Sequence, residues 1–464
     1  MTLPNGFATR DASLPLRQLY LANREDFPAW RDRQSASLAR WITAHGYDAA
    51  PGSLLTLPSD AGGIAGALLG IGDPLDPLSY AHAPFTLPAG QWELADEAAS
   101  THDAAARQAL QLGWGLGSYR FSRYREPQRA PAQLVLEGLD TETSDILAAC
   151  LRVRDLVNTP AEHMGPAELE ALAHDIAARH GARFDSIVGD DLLARNFPSI
   201  HAVGRASHRA PRLLELQWGD PSHPHVALVG KGVCFDTGGL DIKGADGMRN
   251  MKKDMGGAAH ALALAELIMA RQLPVRLTLL IAAVENAIGP DAFRPGDVIA
   301  TRKGVSVEVD NTDAEGRVVL ADALVYAGEF SPGLILDFAT LTGAARIALG
   351  PDLPALYASD DAIAAQWLDA GMRVRDPLWR MPLWRPYLRY LTSTIADLAN
   401  SGGSRMGGSI TAALYLERFV PPGITWAHLD VYAWNDSDRP GKPTGGEAQA
   451  LRAAFEMLKG RFAG

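Results

Sequence analysis

The chain has 464 residues, of which 47% are hydrophobic and 21% are charged, a globular composition in a chain too long for one ordinary domain. Its net charge of −11 argues against a protein that binds nucleic acid by general attraction to phosphates. The two cysteines, Cys150 and Cys234, predict no disulfide framework and a reducing compartment. No secretory signal is visible and no apolar run is long enough to span a membrane, so we expect a cytoplasmic protein without a membrane partner.

Residues 1–135 predict a small N-terminal α/β domain. A strand is expected at 66–71, and helices are expected at 35–45 and 103–113. No spacing of His, Cys or acidic residues there indicates a site, so the task of this domain stays open. A linker at 136–160 follows, in which the amphipathic pattern of 141–157 predicts a helix that ends before Pro160.

Residues 161–464 alternate between strand and helix patterns. Strands are expected at 225–230, 276–283 and 333–338, and helices at 166–180, 256–270 and 318–329. The strand at 276–283 is apolar almost throughout, which is typical of a strand covered on both faces. The alternation predicts an α/β fold, a larger domain with a central, mostly parallel sheet flanked by helices, whose sites collect at the carboxyl ends of the strands.

The most informative stretch is NTDAEGR at residues 311–317, followed by an apolar helix-forming run. It places Asp313 and Glu315 two positions apart, just ahead of Arg317. Thr312 or Asp313 can cap the helix that follows, and a capping cluster with no further role is the simpler alternative. A second acid and an Arg after a β-branched run favour a charged site at a strand end.

A second charged segment follows the strand at 225–230. It contains Asp236 and Asp254, two lysines at positions 231 and 243, and glycines that let the backbone turn tightly at 230, 232, 238 and 239. A nucleotide-binding P-loop is disfavoured, because His225 stands where its first glycine should be. With Asp313 and Glu315, this segment makes four carboxylates available to one cleft.

Four carboxylates cannot share a dry cleft as anions unless cations balance them, and divalent metals are the usual solution. A Lys can ligate a metal only as a neutral amine. The alternative is that each acid caps a helix or pairs with a nearby Lys. The zinc signatures HExxH and CxxC and the serine motif GxSxG are absent, and His260 and His428 fit structural roles. Any metal site here must therefore be built mainly from oxygen ligands.

Together the two segments resemble the leucyl (cytosol) aminopeptidase family of dinuclear metallopeptidases. The similarity runs through VGKG at 229–232, FDTGG at 235–239, MKKDMGGAA at 251–259 and NTDAEGR at 311–317, and a softer similarity covers roughly 150–430. The resemblance implies a metal-dependent aminopeptidase that removes N-terminal residues from peptides by a metal-bridging hydroxide. It also implies two divalent ions per subunit, Zn²⁺ or Mn²⁺, and a homohexamer.

The resemblance also implies a role for each matching residue. The implied metal ligands are Lys231, Asp236, Asp254, Asp313 and Glu315. Of these, Asp236 and Glu315 would bridge both ions, Lys231 and Asp254 would hold the looser site, and Asp313 would hold the tighter one. Lys243 and Arg317 match the catalytic positions, and Arg317 would hold a bicarbonate that moves a proton. The implied substrate contacts are Thr340, Leu341, Thr342 and Gly343.

The sequence departs from the family pattern after His428, Leu429 and Asp430, where small or aliphatic residues usually shape the first side-chain pocket. Here a bulky Trp434 follows, so a leucine preference is not implied. Our hypothesis is that Met251 and Trp434 narrow or reshape this pocket. The competing functions are a two-metal phosphoesterase, with Lys243 and Arg317 binding phosphate, and a non-enzymatic scaffold or DNA-binding protein.

Overall fold

The computed structural model describes residues 3–95, 103–404 and 406–463. The chain divides into two compact units, a smaller one of Met1–Leu151 with Asn435–Thr444 and a larger one of Arg152–Trp434 with Gly445–Gly464. The boundary between Leu151 and Arg152 falls within the helix Thr141–Asn158. Among the described residues, no helix combines the length and the apolar character needed to cross a bilayer.

The smaller unit contains a six-stranded sheet in the order β1-β6-β5-β2-β4-β3. All neighbouring strands in it are parallel except β3 and β4. Its strands are β1 Phe7–Ala8, β2 Leu16–Ala22, β3 Leu54–Pro58, β4 Ile64–Gly70, β5 Gly90–Leu94 and β6 Ala132–Val135. Its helices are α1 Phe27–Asp32, α2 Ala36–Ala44, α3 Ala83–Thr86 and α4 Ala104–Ser118, with a 3₁₀ helix at Pro77–Ser79 and α5 at Thr141–Asn158 crossing the boundary.

The larger unit is built on an eight-stranded sheet in the order β15-β14-β17-β13-β9-β10-β8-β7. The central strands β17, β13, β9 and β10 are mutually parallel, and antiparallel pairs lie toward the edges. The strands of this sheet are β7 Arg183–Val188, β8 Arg212–Trp218, β9 His225–Asp236, β10 Arg276–Asn286, β13 Leu334–Ala339, β14 Ala355–Ala358, β15 Trp379–Arg380 and β17 Thr425–Asp430. The short strands outside it are β11 Val298–Ile299, β12 Val307–Glu308, β16 Leu398–Ala399, β18 Trp434–Asn435 and β19 Gly445–Gly446.

Helices accompany this sheet in the alternating order that the sequence predicts. They are α6 Pro166–His180, α7 Asp191–Ala194, α8 Pro198–Gly204, α9 Ala245–Met248, α10 Gly256–Ala270, α11 Glu315–Glu329, α12 Gly343–Leu349, α13 Asp361–Arg373, α14 Gly408–Glu417 and α15 Leu451–Phe462. The 3₁₀ helices of this unit are Ala161–His163, Met251–Met255 and Arg385–Leu391. Helices α10 and α11 are buried along most of their length, because they pack against the sheet. The predicted α/β fold with a parallel-rich central sheet is confirmed.

Strand β9 corrects one sequence prediction, because it runs to Asp236 rather than ending near 230. Gly230 and Gly232 therefore lie inside a paired strand and make no turn. Their lack of a side chain serves close packing instead: a Cβ on Gly230 would lie 2.7 Å from the Cα of Ala258. The turn that follows the strand uses Gly238 and Gly239, whose φ angles are +87° and +63°.

The start of α11 corrects a second prediction. The helix begins at Glu315, its N-cap is Ala314, and no side chain caps it. The expected cap Thr312 instead bonds to the 238–241 loop, where its hydroxyl donates to the Gly238 carbonyl at 2.6 Å. The two charged segments are thus tied directly to each other, which local capping chemistry could not predict.

Candidate metal centre

A cavity of about 890 Å³ lies at the carboxyl edge of the large sheet. Three neighbouring parallel strands end there: β9 ends at Asp236, β13 at Ala339 and β17 at Asp430. Because parallel strands end on the same side of a sheet, the loops that follow them meet around one space. The two charged segments of the sequence line this cavity together.

Three of the predicted carboxylates converge. Asp236, Asp313 and Glu315 each offer an oxygen, and these oxygens all lie within 4.8 Å of one another. Asp236 and Glu315 are buried, and Asp313 is partly exposed. Each is placed by a different feature: Asp236 by the end of β9, Glu315 by the first turn of α11, and Asp313 by the loop before it. This grouping has the spacing of a cation site.

Two lysines balance the carboxylates. The Lys231 Nζ lies 2.7 Å from Asp254 Oδ2 and 2.9 Å from Glu315 Oε1, and it donates to the Thr340 carbonyl at 3.1 Å. The Lys243 Nζ lies 2.8 Å from Asp236 Oδ2 and also contacts Asp313. The structure therefore brings together all five predicted ligands and Lys243.

The ionisation of these groups reflects crowded negative charge. Burial and the neighbouring Asp236 raise the pKa of Glu315 above its ordinary range. Burial alone would lower the pKa of Lys231, but the charges of Asp254 and Glu315 outweigh it, and the pKa is raised. The two lysines therefore do not fully balance the negative charge of the neighbouring carboxylates.

The centre fits divalent cations in its donor chemistry. Asp254, Asp313 and Glu315 each have a buried oxygen that faces a lysine ammonium and has no other hydrogen-bond donor among the described residues. Carboxylate oxygens are the ligands that hard and borderline divalent metals prefer. The residues present are thus suited to hold such ions.

Arg317 lies in the first turn of α11 and is buried. Its Nη1 donates to the Asn400 carbonyl at 2.9 Å, and its Nε is buried without a hydrogen bond. Burial lowers the pKa of the guanidinium from its ordinary value. A buried guanidinium with an unused donor is suited to bind an anion.

Two asparagines that the sequence reasoning missed hold this centre in place. Asn286 ends β10, and its amide donates to Asp236 Oδ1 at 2.8 Å and to the Thr312 carbonyl at 3.0 Å. Asn400 accepts from the backbone N–H groups of Asp310 and Asn311 and donates to the Asn311 carbonyl at 2.7 Å. Both lie outside the charged motifs. Asn286 follows the strand predicted at 276–283, whereas no sequence signal marked Asn400.

The predicted substrate loop at 340–343 lines the cavity next to the carboxylates. The Thr340 hydroxyl donates to Asp254 Oδ1 at 2.8 Å. Asp430 accepts from the N–H groups of Leu341 and Thr342 and from the Thr342 hydroxyl. The loop is therefore held between a candidate metal ligand and the end of β17.

The predicted side-chain pocket differs in one residue. Met251 lines the cavity, but Trp434 is not among the described residues that line it. Trp434 is buried, with its ring centre 5.7 Å from the Lys252 Nζ. Tyr432 forms part of the cavity wall instead. The cause is the backbone of Ala433, whose φ of 55° breaks the extended path that would place 432 and 434 on the same side.

The fold and this centre define a class: an α/β protein with a carboxylate-rich cation centre at the carboxyl edge of its sheet. Comparison with known families specifies it further. Residues 152–454 match the model of the cytosol aminopeptidase family, catalytic domain, and residues 15–137 match the M17 aminopeptidase N-terminal domain. The chain belongs to the cytosol aminopeptidase family. It is a metal-dependent aminopeptidase, a hydrolase that acts on peptides.

Individual relatives agree with this assignment. A probable cytosol aminopeptidase from Syntrophotalea carbinolica is 40% identical over 374 residues, covering 76% of this chain and 75% of the relative. The crystal structure of a cytosol aminopeptidase from Coxiella burnetii has 48% identity and a TM-score of 0.94, covering 98% of this chain and 99% of that chain. The bottromycin maturation enzyme BotP in complex with Mn has 33% identity and a TM-score of 0.84, covering 96% and 99%.

Proposed function

We propose that the cavity is the active site and that it holds two divalent ions, Zn²⁺ or Mn²⁺. The proposed ligands are Lys231, Asp236, Asp254, Asp313 and Glu315. The observation that carries this proposal is the group of three carboxylate oxygens within 4.8 Å of one another, beside a fourth carboxylate paired with Lys231. A similar protein, BotP, has been solved with Mn, which supports manganese as one candidate.

When bound, the ions would supply a nucleophilic hydroxide from water near neutral pH and polarise the scissile carbonyl. The protein side chains do the remaining work. Lys243 stays cationic beside Asp236 and stabilises the negative charge that develops on the carbonyl oxygen during attack. The loop at 340–343, held by Asp430, contacts the peptide and orients its first residues. We keep Met251 as a further substrate contact, because it lines the cavity.

Arg317 is proposed to hold an anion, such as bicarbonate, that passes a proton between water and the leaving amine. Two features support this role: the buried Nε of Arg317 has no hydrogen bond, and the helix that begins at Glu315 favours negative charge at its start. Asn400 fixes the guanidinium through its carbonyl.

The test of this site is metal analysis of the purified full-length protein, with activity measured before and after chelation. We expect two ions per subunit, loss of hydrolysis of an aminoacyl-anilide on chelation, and recovery with Zn²⁺ or Mn²⁺. p-Nitrophenyl phosphate serves as the second substrate. Turnover that survives complete metal removal, or a preference for the phosphate ester, contradicts the proposal.

We also propose a cytoplasmic homohexamer with an N-terminal domain at 1–135, a linker at 136–160 and a catalytic domain at 161–464. The support is the family resemblance and the relatives, which are named cytosol aminopeptidases. Light scattering coupled to size-exclusion chromatography tests the assembly. A mass near that of one 49.6 kDa chain at micromolar concentration would exclude the hexamer.

A further inference from the structure

Away from the carboxylates, the cavity wall carries two more cations. Lys253 belongs to the 3₁₀ helix Met251–Met255, and Arg346 belongs to α12, and both line the cavity. Both contact the ring of Tyr432: the Lys253 Nζ lies 5.1 Å from the ring centre, and the Arg346 Cζ lies 4.5 Å from it. Three separate chain segments thus bring two positive charges to one aromatic side chain.

Neither cation has an anionic partner among the residues that the structure describes. Lys253 is only 7% exposed, yet its ammonium forms no hydrogen bond or ion pair there. Two carboxylates act on Lys253 at a distance, and both have other partners. Asp254 pairs with Lys231 and accepts from the Thr340 hydroxyl, and Asp430 accepts from the N–H groups of Leu341 and Thr342 and from the Thr342 hydroxyl. A lysine side chain this buried, with an aromatic ring beside its ammonium and no hydrogen bond or ion pair to a described residue, is costly unless a ligand completes its environment.

The position of these cations indicates what that ligand is. Lys253 directly precedes the candidate metal ligand Asp254, and Arg346 follows the substrate loop at 340–343 by three residues. Both also line the cavity that contains the carboxylates, so a peptide held at the metal centre shares that cavity with both cations. The chemistry that two unpaired cations recognise in a peptide is a carboxylate, through charge-assisted hydrogen bonds.

We propose that Lys253 and Arg346, oriented by the Tyr432 ring, form a carboxylate-binding subsite that selects acidic peptide substrates. This inference rests on the active site proposed above. The carboxylate has two possible sources in a peptide: the side chain of an acidic residue, or the C-terminus of a very short peptide. The subsite makes this enzyme faster on carboxylate-bearing peptides than on neutral ones of the same shape.

The experiment compares substrates that differ only in charge, with the full-length metal-loaded enzyme. Glu-Ala-Ala amide against Gln-Ala-Ala amide tests the acidic side chain. Gln-Ala against Gln-Ala amide tests the C-terminal carboxylate. For at least one pair, we expect the carboxylate-bearing peptide to have the higher kcat/KM.

The variant Lys253→Met, which keeps the length of the side chain and removes its charge, should lower that ratio about 10- to 100-fold, the effect of losing a charge-assisted hydrogen bond. Lys253→Arg keeps the charge and should retain most of the ratio. Arg346→Met should lower the ratio less, because Arg346 is exposed to solvent.

Lys252→Met is the matched control. Its Nζ donates to the Asn158 carbonyl at 2.6 Å, and Lys252 is not among the described residues that line the cavity. We expect it to leave the ratio of carboxylate to neutral substrate unchanged. Because each ratio is taken within one preparation, it does not depend on the fraction of metal-loaded or folded enzyme.

The outcomes separate the subsite from the active site. Hydrolysis of the neutral peptides with the same carboxylate-to-neutral ratios in wild type and Lys253→Met overturns the subsite and leaves the aminopeptidase site intact. If Lys252→Met lowers the carboxylate-to-neutral ratio as much as Lys253→Met does, the subsite is also overturned, because the ratio would then depend on the overall positive charge of the protein. Wild-type enzyme that hydrolyses none of the peptides while loaded with metal overturns both proposals.

Discussion

The two sides of the cavity treat positive charge in opposite ways. On the carboxylate side, Lys231 and Lys243 each contact two acidic side chains. On the other side, Lys253 and Arg346 contact the ring of Tyr432, and neither forms an ion pair with a residue that the structure describes. The first arrangement neutralises carboxylates that the protein itself supplies. The second leaves two cations available to bind a ligand. One cavity can therefore use some of its cations to balance its own carboxylates and others to bind ligand groups.

The difference has a consequence for mutations. Charges on the carboxylate side share partners, so removing one leaves the others unbalanced, and effects there are large and non-additive. The two cations beside Tyr432 form no ion pair with a described residue, so removing one of them takes no ion-pair partner away from a carboxylate. Variants on the carboxylate side should therefore lower activity more than variants on the Tyr432 side. The two sets should also differ in whether the metal content of the protein changes.

The largest effect is expected for Glu315→Ala. It removes a buried carboxylate that contacts Lys231, and it should lower kcat on an aminoacyl-anilide by at least about 1000-fold, since metal-assisted chemistry contributes several kcal/mol. The metal content should fall as well, while the oligomer persists. Elemental analysis and light scattering check these two points. Undiminished turnover would refute the assignment of this side as the metal centre.

Lys243→Met should lower kcat by about 100- to 1000-fold, the usual loss when one donor to a developing oxyanion is removed. Metal content should be retained, because Lys243 is not among the proposed ligands. Steady-state kinetics and elemental analysis on the same preparation check this. A variant that loses its metal would show that Lys243 acts on the ions rather than on the substrate.

Asp322 is a third kind of charged site: a buried carboxylate to which the described residues supply N–H donors but no ion-pair partner. It accepts from the N–H groups of Ser199 and Arg302, and burial raises its pKa to about 6 from 3.8. Because the folded pKa is raised, the stability that Asp322 provides is present below pH 4 and is lost as pH rises to about 6. The loss is roughly 3 kcal/mol.

The measurement for Asp322 is urea unfolding of metal-free wild type and Asp322→Asn between pH 4 and pH 7. Groups common to both proteins cancel in the difference. The stability of wild type relative to the variant should fall by roughly 3 kcal/mol across this range. A constant difference would show that the Asp322 pKa is not raised in the folded protein.

Asn286→Ala tests the carboxylate side of the cavity without removing a charged group. It removes the amide that donates to Asp236 Oδ1, so the carboxylate loses its fixed orientation. We expect metal affinity to weaken about 10- to 100-fold, the usual effect of losing a partner of a metal ligand. Competition with a chelating dye measures this. Unchanged affinity together with lower activity would place the role of Asn286 elsewhere.

The smallest effect is expected for Tyr432→Leu on the opposite side. Loss of the ring removes a cation–π contact from Lys253 and Arg346, and it should lower the preference for carboxylate peptides about two- to five-fold. The peptide pairs described above measure it. A larger drop in kcat on the neutral peptides would indicate that Tyr432 shapes the metal side instead.

The sequence by itself determined several helices and strands of the larger unit and the charged residues that meet in the cavity. Helices at 166–180 and 256–270 were predictable to the residue, because their apolar periodicity and their flanking Pro and Gly residues are local signals. The four carboxylates and two lysines were predicted as one group, because the sequence places both charged segments beside strand-like runs, where sites collect in parallel sheets.

Only the tertiary structure decided which neighbours complete the site. Asn286 and Asn400 are uncharged and belong to no recognisable motif. They matter because the fold brings each of them to a residue far away in the sequence, Asp236 for Asn286 and Asn311 for Asn400. Tyr432, rather than Trp434, reaches the cavity because Ala433 takes a left-handed backbone conformation. The sequence also could not predict that Lys253 forms no ion pair with a described residue, because three-dimensional packing decides which groups lie near a lysine.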